Sequence, residues 1–219
     1  QTFNFLPDQK NEQNEFTLIS TGDIGLVRDV NYRIQQKKDP NYPFLFIADY
    51  LRNADLTVIN LEGPLIKNCP IILEGFTFCG ESSNAAGLTF AGIDGASLAN
   101  NHTLDFGNEG LMQTKTILTE AGLDFFGHPK NEPDTSVIKN IRGIKIAFIG
   151  YHGLSNKSQD TTIQEIGKME DQADELETPV FPCDSSDFLG TAAGLGGGLA
   201  GGVEGFDEGG AGGSGFRPC

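Results

Sequence analysis

The chain has 219 residues, of which 38% are hydrophobic and 29 are glycine, and its formal net charge is −15. This length is enough for one domain with a substantial core, and no stretch approaches the roughly 18 apolar residues of a membrane span. Since an acidic chain repels phosphate backbones and anionic lipids, we expect neither nucleic-acid binding nor an anionic membrane surface as partner, whereas divalent cations suit it.

Composition divides the chain into four parts. Residues 1–15 are polar and aperiodic and are predicted to form an N-terminal arm, and residues 16–155 are predicted to form an α/β domain. Residues 156–189 are interpreted as an acidic linker or marginal helix. Residues 190–219 form a glycine-rich tail that, by composition, cannot bury enough apolar surface to order itself.

Between these flanking parts, helix-like and strand-like patterns alternate. In chain order the predicted elements are a strand at 16–21, helices at 26–37 and 44–53, strands at 56–61 and 71–79, a helix at 82–91, a strand at 93–99, a helix at 109–121, a strand at 123–127, and strands at 136–140 and 144–151. In the first helix, Val27, Val30 and Ile34 are predicted to share one face. The alternation predicts an α/β fold with a largely parallel sheet that ends in a hairpin.

Polar residues follow three of the predicted strands. Asp23 follows the first strand, Asn60 and Glu62 lie at the end of the strand at 56–61, and Asn101 and His102 follow the strand at 93–99. Because the carboxyl ends of parallel strands lie on one edge, this set has the composition of a divalent-metal hydrolytic site. The alternative is that each residue separately caps a helix, ends a strand or holds a turn.

The segment S-L-A-N-N-H-T-L-D-F-G concentrates four polar residues in one short loop: Asn100, Asn101, His102 and Asp105. Amide and carboxylate oxygens suit a hard or borderline cation, and an imidazole can bind a metal or carry a proton. The alternative is that the two asparagines hold the turn, Asp105 starts the next helix and His102 is an ordinary loop residue.

Four cysteines form two local sets, Cys69 with Cys79 and Cys183 with Cys219. No C-x-x-C occurs, which disfavours a zinc ribbon. Two disulfides in an exported protein are the preferred interpretation, and four reduced cysteines in a cytosolic protein are among the alternatives left open. The sequence shows no signal peptide, and the start at Gln1 rather than Met indicates a processed mature terminus or a shortened chain.

Four segments between about residues 16 and 151 resemble the CapA family of poly-γ-glutamate capsule synthesis proteins, which is similar to the calcineurin-like metallophosphoesterases. They are T-G-D, A-D-L-T-V-I-N-L-E-G-P-L, A-G-I-D-G-A-S-L-A-N-N-H-T-L-D-F-G-N-E-G-L and K-I-A-F-I-G-Y. The resemblance implies part of a metallophosphoesterase-like αββα sandwich. It implies a divalent metal, which would be Mn, Fe, Zn or Mg.

The resemblance also implies roles for the strand-end residues. The implied metal ligands are carboxylates and amides: Asp23, Glu62 and Asn101, with Asn60 near them. His102 would assist departure of the leaving group or stabilise transition-state charge, and Asp105 would orient it.

This sequence departs from the metallophosphoesterase pattern after His152. Such enzymes draw further histidine ligands from H-W-G and G-H-x-H-like segments, and no such segment follows, so the second half of the family pattern is predicted to be truncated. His128 is interpreted as a turn residue, and His152 either adds a metal ligand or lies in an exposed loop. A shortened sandwich also leaves one sheet face uncovered, which the tail or another subunit would have to cover.

Three functional hypotheses stay open. The first is an exported metal-dependent hydrolase or transferase acting on a phosphoester or polyglutamate-related substrate. The second is a non-catalytic structural subunit of a self-assembling extracellular oligomer, with the glycine-rich tail packed between subunits. The third is a module that binds a cation, polyglutamate or another anionic polymer. The predicted location is outside the cell or at its surface.

Overall fold

A computed structural model describes residues 16–128 and 136–152, together with the backbone of residues 191–194. The strands are β1 (Leu18–Ile24), β2 (Leu56–Leu61), β3 (Leu65–Ile66), β4 (Gly80–Glu81), β5 (Gly95–Ser97), β6 (Asp124–Phe126), β7 (Val137–Ile141), β8 (Ile144–Ile149) and β9 (Thr191–Gly194). The helices are α1 (Arg28–Lys37), α2 (Ala48–Arg52), α3 (Ala85–Ala91) and α4 (Gly107–Glu120), and short 3-10 turns at Tyr42–Phe44 and Ser82–Asn84 precede α2 and α3.

The central sheet is parallel and has the strand order β1-β2-β5-β6. Strand β2 lies inside this sheet, and its side chains alternate between the two faces. Ile59 and Leu61 belong to the cluster that includes the helices, whereas Leu56 and Val58 belong to a second cluster on the opposite face. The predicted α/β architecture with a mainly parallel sheet is therefore confirmed.

The four helices cover one face of this sheet. Ile34, Leu51, Leu88 and Leu118, one from each helix, are at most 4% exposed and pack in the cluster that contains Ile59. The predicted face of α1 is partly wrong, since Val30 is 38% exposed. Its predicted place on the buried face is taken by the amide of Asn31, which donates to Cys69 and accepts from the Glu81 N–H.

An antiparallel sheet, β7-β8-β9, covers the opposite face of the central sheet. Ile146 and Phe148 of β8 pack with Leu56 and Val58, and the rings of Phe148 and Phe126 lie 5.4 Å apart. The expectation that the tail or another subunit has to cover this face is met only in part, because β7 and β8 pack on it and the backbone of Thr191–Gly194, in the predicted tail, pairs with β8. Helices, parallel sheet and antiparallel sheet form three successive layers, as in a metallophosphoesterase-like sandwich.

The predicted strand at 71–79 is wrong, because this segment is an irregular loop closed by a disulfide between Cys69 and Cys79. Its apolar residues Ile71, Leu73 and Phe76 are exposed instead of alternating into a core. The parallel pair β3–β4 closes the base of the loop, with Leu65 opposite Gly80 and Ile66 opposite Glu81.

Several predictions concern parts of the chain outside the described residues. They are the arm at 1–15, the acidic stretch after 155 and the pairing of Cys183 with Cys219. Within the predicted tail, Thr191–Gly194 departs from the expectation of an unstructured segment, because its backbone pairs with β8. None of the helices in the described ranges is long and apolar enough to cross a bilayer.

Candidate functional site

The carboxyl ends of β1, β2 and β5 bring the predicted site residues to one edge of the parallel sheet. Strand β1 carries an irregularity between Ser20 and Asp23, where three steps of β1 lie opposite two steps of β2. The shifted register sets Asp23 opposite Asn60, and Asn60 in turn lies opposite Ser97. An irregularity of this kind re-aims the side chains that follow it, and here it places Asp23 beside Asn60.

A chain of amide hydrogen bonds runs along this edge. The Nδ2 of Asn100 donates to the Oδ1 of Asn60 and to the carbonyl of Leu61, both at 3.0 Å. The Nδ2 of Asn60 donates in turn to the Oδ1 of Asp23 at 2.6 Å. Asn60 therefore fixes the carboxylate of Asp23, and the buried side chain of Asn100 fixes Asn60.

The other end of Asn100 organises the loop that carries His102. Its Oδ1 accepts from the backbone N–H groups of His102 and Thr103 and from the Thr103 hydroxyl, each at 3.0 Å. The interpretation of Asn100 as a turn-holding residue therefore agrees with its contacts, while the neighbouring Asn101 is exposed. Asp105 does not start the following helix, since α4 begins at Gly107.

The imidazole of His102 is held by two contacts. Its Nδ1 lies 2.8 Å from the Oδ2 of Asp105, and because an ionised carboxylate only accepts hydrogen bonds, the Nδ1–H donates. One face of the ring stacks on Phe78, with centroids 4.0 Å apart and planes 24° apart. The sequence analysis did not identify Phe78. The one signal in the sequence is that an aromatic residue directly precedes Cys79.

Glu62 faces the free nitrogen of this imidazole, with its Oε1 at 3.9 Å from the Nε2 of His102. Burial raises the pKa of Glu62, the negative charges of Asp23 and Asp105 raise it further, and His102 opposes these effects. Three carboxylates thus concentrate negative charge at one edge of the sheet. A cation bound there would relieve the repulsion between them.

The donor set fits a single divalent cation better than a two-metal centre. Asp23 and Glu62 supply the carboxylate oxygens that such cations prefer, whereas Asn60 turns its Nδ2 donor, not its oxygen, towards Asp23. Within residues 16–128 and 136–152, however, no three His, Cys, Asp or Glu side chains are grouped as a ready-made metal site. One ion held by the two carboxylates and by water oxygens is the arrangement that these residues can support.

The other two histidines follow strands that approach the same loop. A Cβ built on Gly127 would lie 2.8 Å from both the Cα of Gly150 and the Cβ of Ala99, so the backbones after β5, β6 and β8 converge. His128 directly follows Gly127 and is buried, while His152 lies two residues after Gly150 and is half-buried. The backbone therefore carries His152 towards the edge that holds Asn100, and the prediction of His152 as an additional metal ligand stays a prediction.

Comparison with known proteins matches the chain to a described family and to a curated relative. A family described as "Bacterial capsule synthesis protein PGA_cap" matches residues 17–187. The capsule biosynthesis protein CapA of Bacillus anthracis is 28% identical over an alignment of 151 residues, and the match covers 66% of this chain and 36% of that relative. The chain therefore spans little more than a third of the length of this curated relative.

Proposed function

Because the chain belongs to the bacterial capsule synthesis protein PGA_cap family, we propose that it is a metal-dependent hydrolase or transferase of capsule polymer synthesis. Its substrate is a phosphoester or a polyglutamate-related bond. The observation that carries this proposal is the continuous set of contacts from Asp23 through the two asparagines to His102 and Asp105. Two carboxylates and an imidazole with a fixed orientation are what such hydrolysis requires.

In this proposal His102 moves the proton. Because its Nδ1–H donates to Asp105, the Nε2 is the nitrogen left to face a reacting group. The carboxylate of Asp105 stabilises the imidazolium, so that the Nε2–H can be given to a leaving oxygen or nitrogen. The ring is 14% exposed at its side chain, which leaves one edge open to a substrate.

Asp23, Glu62 and Asn101 are the residues that would hold the divalent cation, and Asn60 orients Asp23. When bound, such a cation supplies Lewis-acid polarisation of the substrate oxygen and a more acidic water. The raised pKa of Glu62 supports this assignment, because carboxylates crowded without a counter-charge are a common feature of functional sites.

The proposed location is outside the cell or at its surface. The disulfide between Cys69 and Cys79 supports export, since disulfides persist in oxidising compartments. The matched relative is named as a capsule biosynthesis protein, and capsule polymer is the class of substrate that we extend to this chain.

The test is turnover by the full chain in the presence of Mn²⁺, with bis(p-nitrophenyl) phosphate and poly-γ-glutamate as separate probes. We expect metal-dependent cleavage or transfer with one of them, lost by at least a hundredfold in His102→Ala. The matched control is Asp49→Asn, which changes a carboxylate on α2 whose side chain is 94% exposed. Equal turnover in wild type and His102→Ala would contradict the proposal.

A second candidate function is binding of a cation or an anionic polymer without turnover. The finding that favours it is the crowding of Glu62 with Asp23 and Asp105, which a bound cation would relieve without any bond being cleaved. Saturable binding of Mn²⁺ or poly-γ-glutamate, with no product from either probe, would support this candidate over the enzyme.

A further inference from the structure

The exposed fraction of the side chains changes sharply along the disulfide-closed loop at 69–79. Ile71, Leu73 and Phe76 are 45%, 47% and 82% exposed, whereas Phe78 is 8% exposed. The loop therefore turns one aromatic ring inwards, and that ring lies against His102. Phe78 is buried together with the two cysteines that close the loop, and its contact with His102 sets it apart from them.

Phe78 contacts both members of the His102–Asp105 pair. Its ring stacks on the imidazole with centroids 4.0 Å apart. Its backbone N–H donates to the Oδ2 of Asp105 at 2.7 Å, and this is the same oxygen that accepts from the Nδ1–H of His102. One residue thus limits the tilt of the imidazole and also fixes the carboxylate that orients it.

The backbone on the C-terminal side of Phe78 is itself fixed. Cys79 is bonded to Cys69, and the N–H of Gly80 donates to the carbonyl of Pro64 at 2.9 Å. A Cβ built on Gly80 would lie 2.4 Å from the carbonyl oxygen of Leu26, so this backbone runs directly against the segment before α1. The position of Phe78 is therefore set by covalent and backbone contacts as well as by its own packing.

Arg28 secures the N-terminal side of the same loop. Its Nη2 donates to the carbonyl of Leu73 at 3.0 Å, and its guanidinium lies 5.9 Å from the centroid of the Phe78 ring. Arg28 also has a φ of 51°, in the left-handed region that non-glycine residues rarely adopt. Strained backbone at such a place is typical of functional sites, and here it directs a side chain across the loop.

We propose that Phe78 is a positioning residue for His102, held in place by the disulfide-closed loop so that the Nε2 of the imidazole faces the site edge near Glu62. This inference rests on the proposed role of His102 in proton transfer. Without the ring of Phe78, the imidazole keeps its bond to Asp105 but gains freedom to tilt about it. A misplaced proton donor lowers the rate of the chemical step more than it changes substrate binding.

The primary test is NMR of the imidazole C–H resonances in the full chain. The sequence has three histidines, so the His102 resonances are assigned by their loss in His102→Gln. Stacking on an aromatic face shields these protons, and we expect Phe78→Leu to shift them downfield while Phe78→Tyr, which keeps the ring, retains the wild-type shifts. The matched control is Phe76→Leu, the same substitution at an exposed position two residues away, which should change nothing.

Kinetics supply the second readout where the wild type turns over a probe. We expect Phe78→Leu to lower kcat about tenfold or more with KM unchanged, and Phe78→Tyr to recover most of it. His102 resonances that are the same in Phe78→Leu and wild type would overturn the inference, whatever the activity. Shifted resonances in a protein that turns over neither probe would show that Phe78 stacks on His102, but they would remove the proton-transfer role on which the inference rests and so would overturn it.

Discussion

Asn100→Ala tests the amide network that holds the site edge. The substitution removes two hydrogen bonds donated by Nδ2 and three accepted by Oδ1. The Thr103 hydroxyl keeps an acceptor in the carbonyl of Leu98, and the partly buried groups of Asn60 and His102 can turn to water. Two buried groups lose their partner, namely the Leu61 carbonyl and the Thr103 N–H.

Each buried polar group that loses a hydrogen-bond partner costs about 1–3 kcal/mol, so we expect Asn100→Ala to lower the free energy of unfolding by about 3 kcal/mol. The assay is urea unfolding, with the midpoint compared at constant m. Asn101→Ala is the matched control at the next, exposed residue, and should stay within about 0.5 kcal/mol of wild type. A difference below about 1 kcal/mol between the two variants would refute the network.

Three further predictions concern the core, the disulfide and the pH dependence. Ile34→Ala, at a buried position of α1, should cost about 2–5 kcal/mol in urea unfolding, whereas Val30→Ala on the same helix should cost little. Equal losses in the two variants would contradict the observed buried face of α1. Reduction of the Cys69–Cys79 disulfide should lower the free energy of unfolding by about 3 kcal/mol, because the unfolded chain gains loop entropy. The measurement is urea unfolding with and without reductant, and an unchanged midpoint would contradict a stabilising disulfide. Because folding raises the pKa of Glu62, the protonated form is favoured in the folded state, and the free energy of unfolding falls as pH rises through that pKa. Glu62→Gln should flatten this part of the profile of stability against pH. An identical slope in wild type and Glu62→Gln would contradict the charge crowding around Glu62.

The fold was predictable where the sequence pattern is strong and local. Strand β2 has the predicted bounds, because its continuous apolar run is typical of a strand buried on both faces. The loop at 71–79 was not predictable, since loose alternation of apolar residues indicates a strand and nothing local shows that Ile71 and Phe76 are exposed. The cover that β7 and β8 give to the central sheet was missed because it is a tertiary contact between separate elements.

For the candidate site, the rule about strand ends predicted which residues gather but not how they are connected. The register shift in β1 that sets Asp23 opposite Asn60 has no signature in T-G-D. The bridging role of Asn100 depends on Asn60, forty residues away, and the stacking of Phe78 on His102 depends on a loop fold that the pattern misrepresents. Contacts of this kind between distant residues come from tertiary structure and not from local propensity.

Calorimetric titration of the full, metal-free chain with Mn²⁺ tests the central proposal most directly. We expect one ion per chain, with affinity lowered at least tenfold in Asp23→Asn because one of two carboxylate ligands is lost. Asp49→Asn, at a highly exposed carboxylate on α2, should bind as wild type does. No heat of binding, or equal affinity in Asp23→Asn and Asp49→Asn, would contradict a cation site at the carboxyl edge of the parallel sheet.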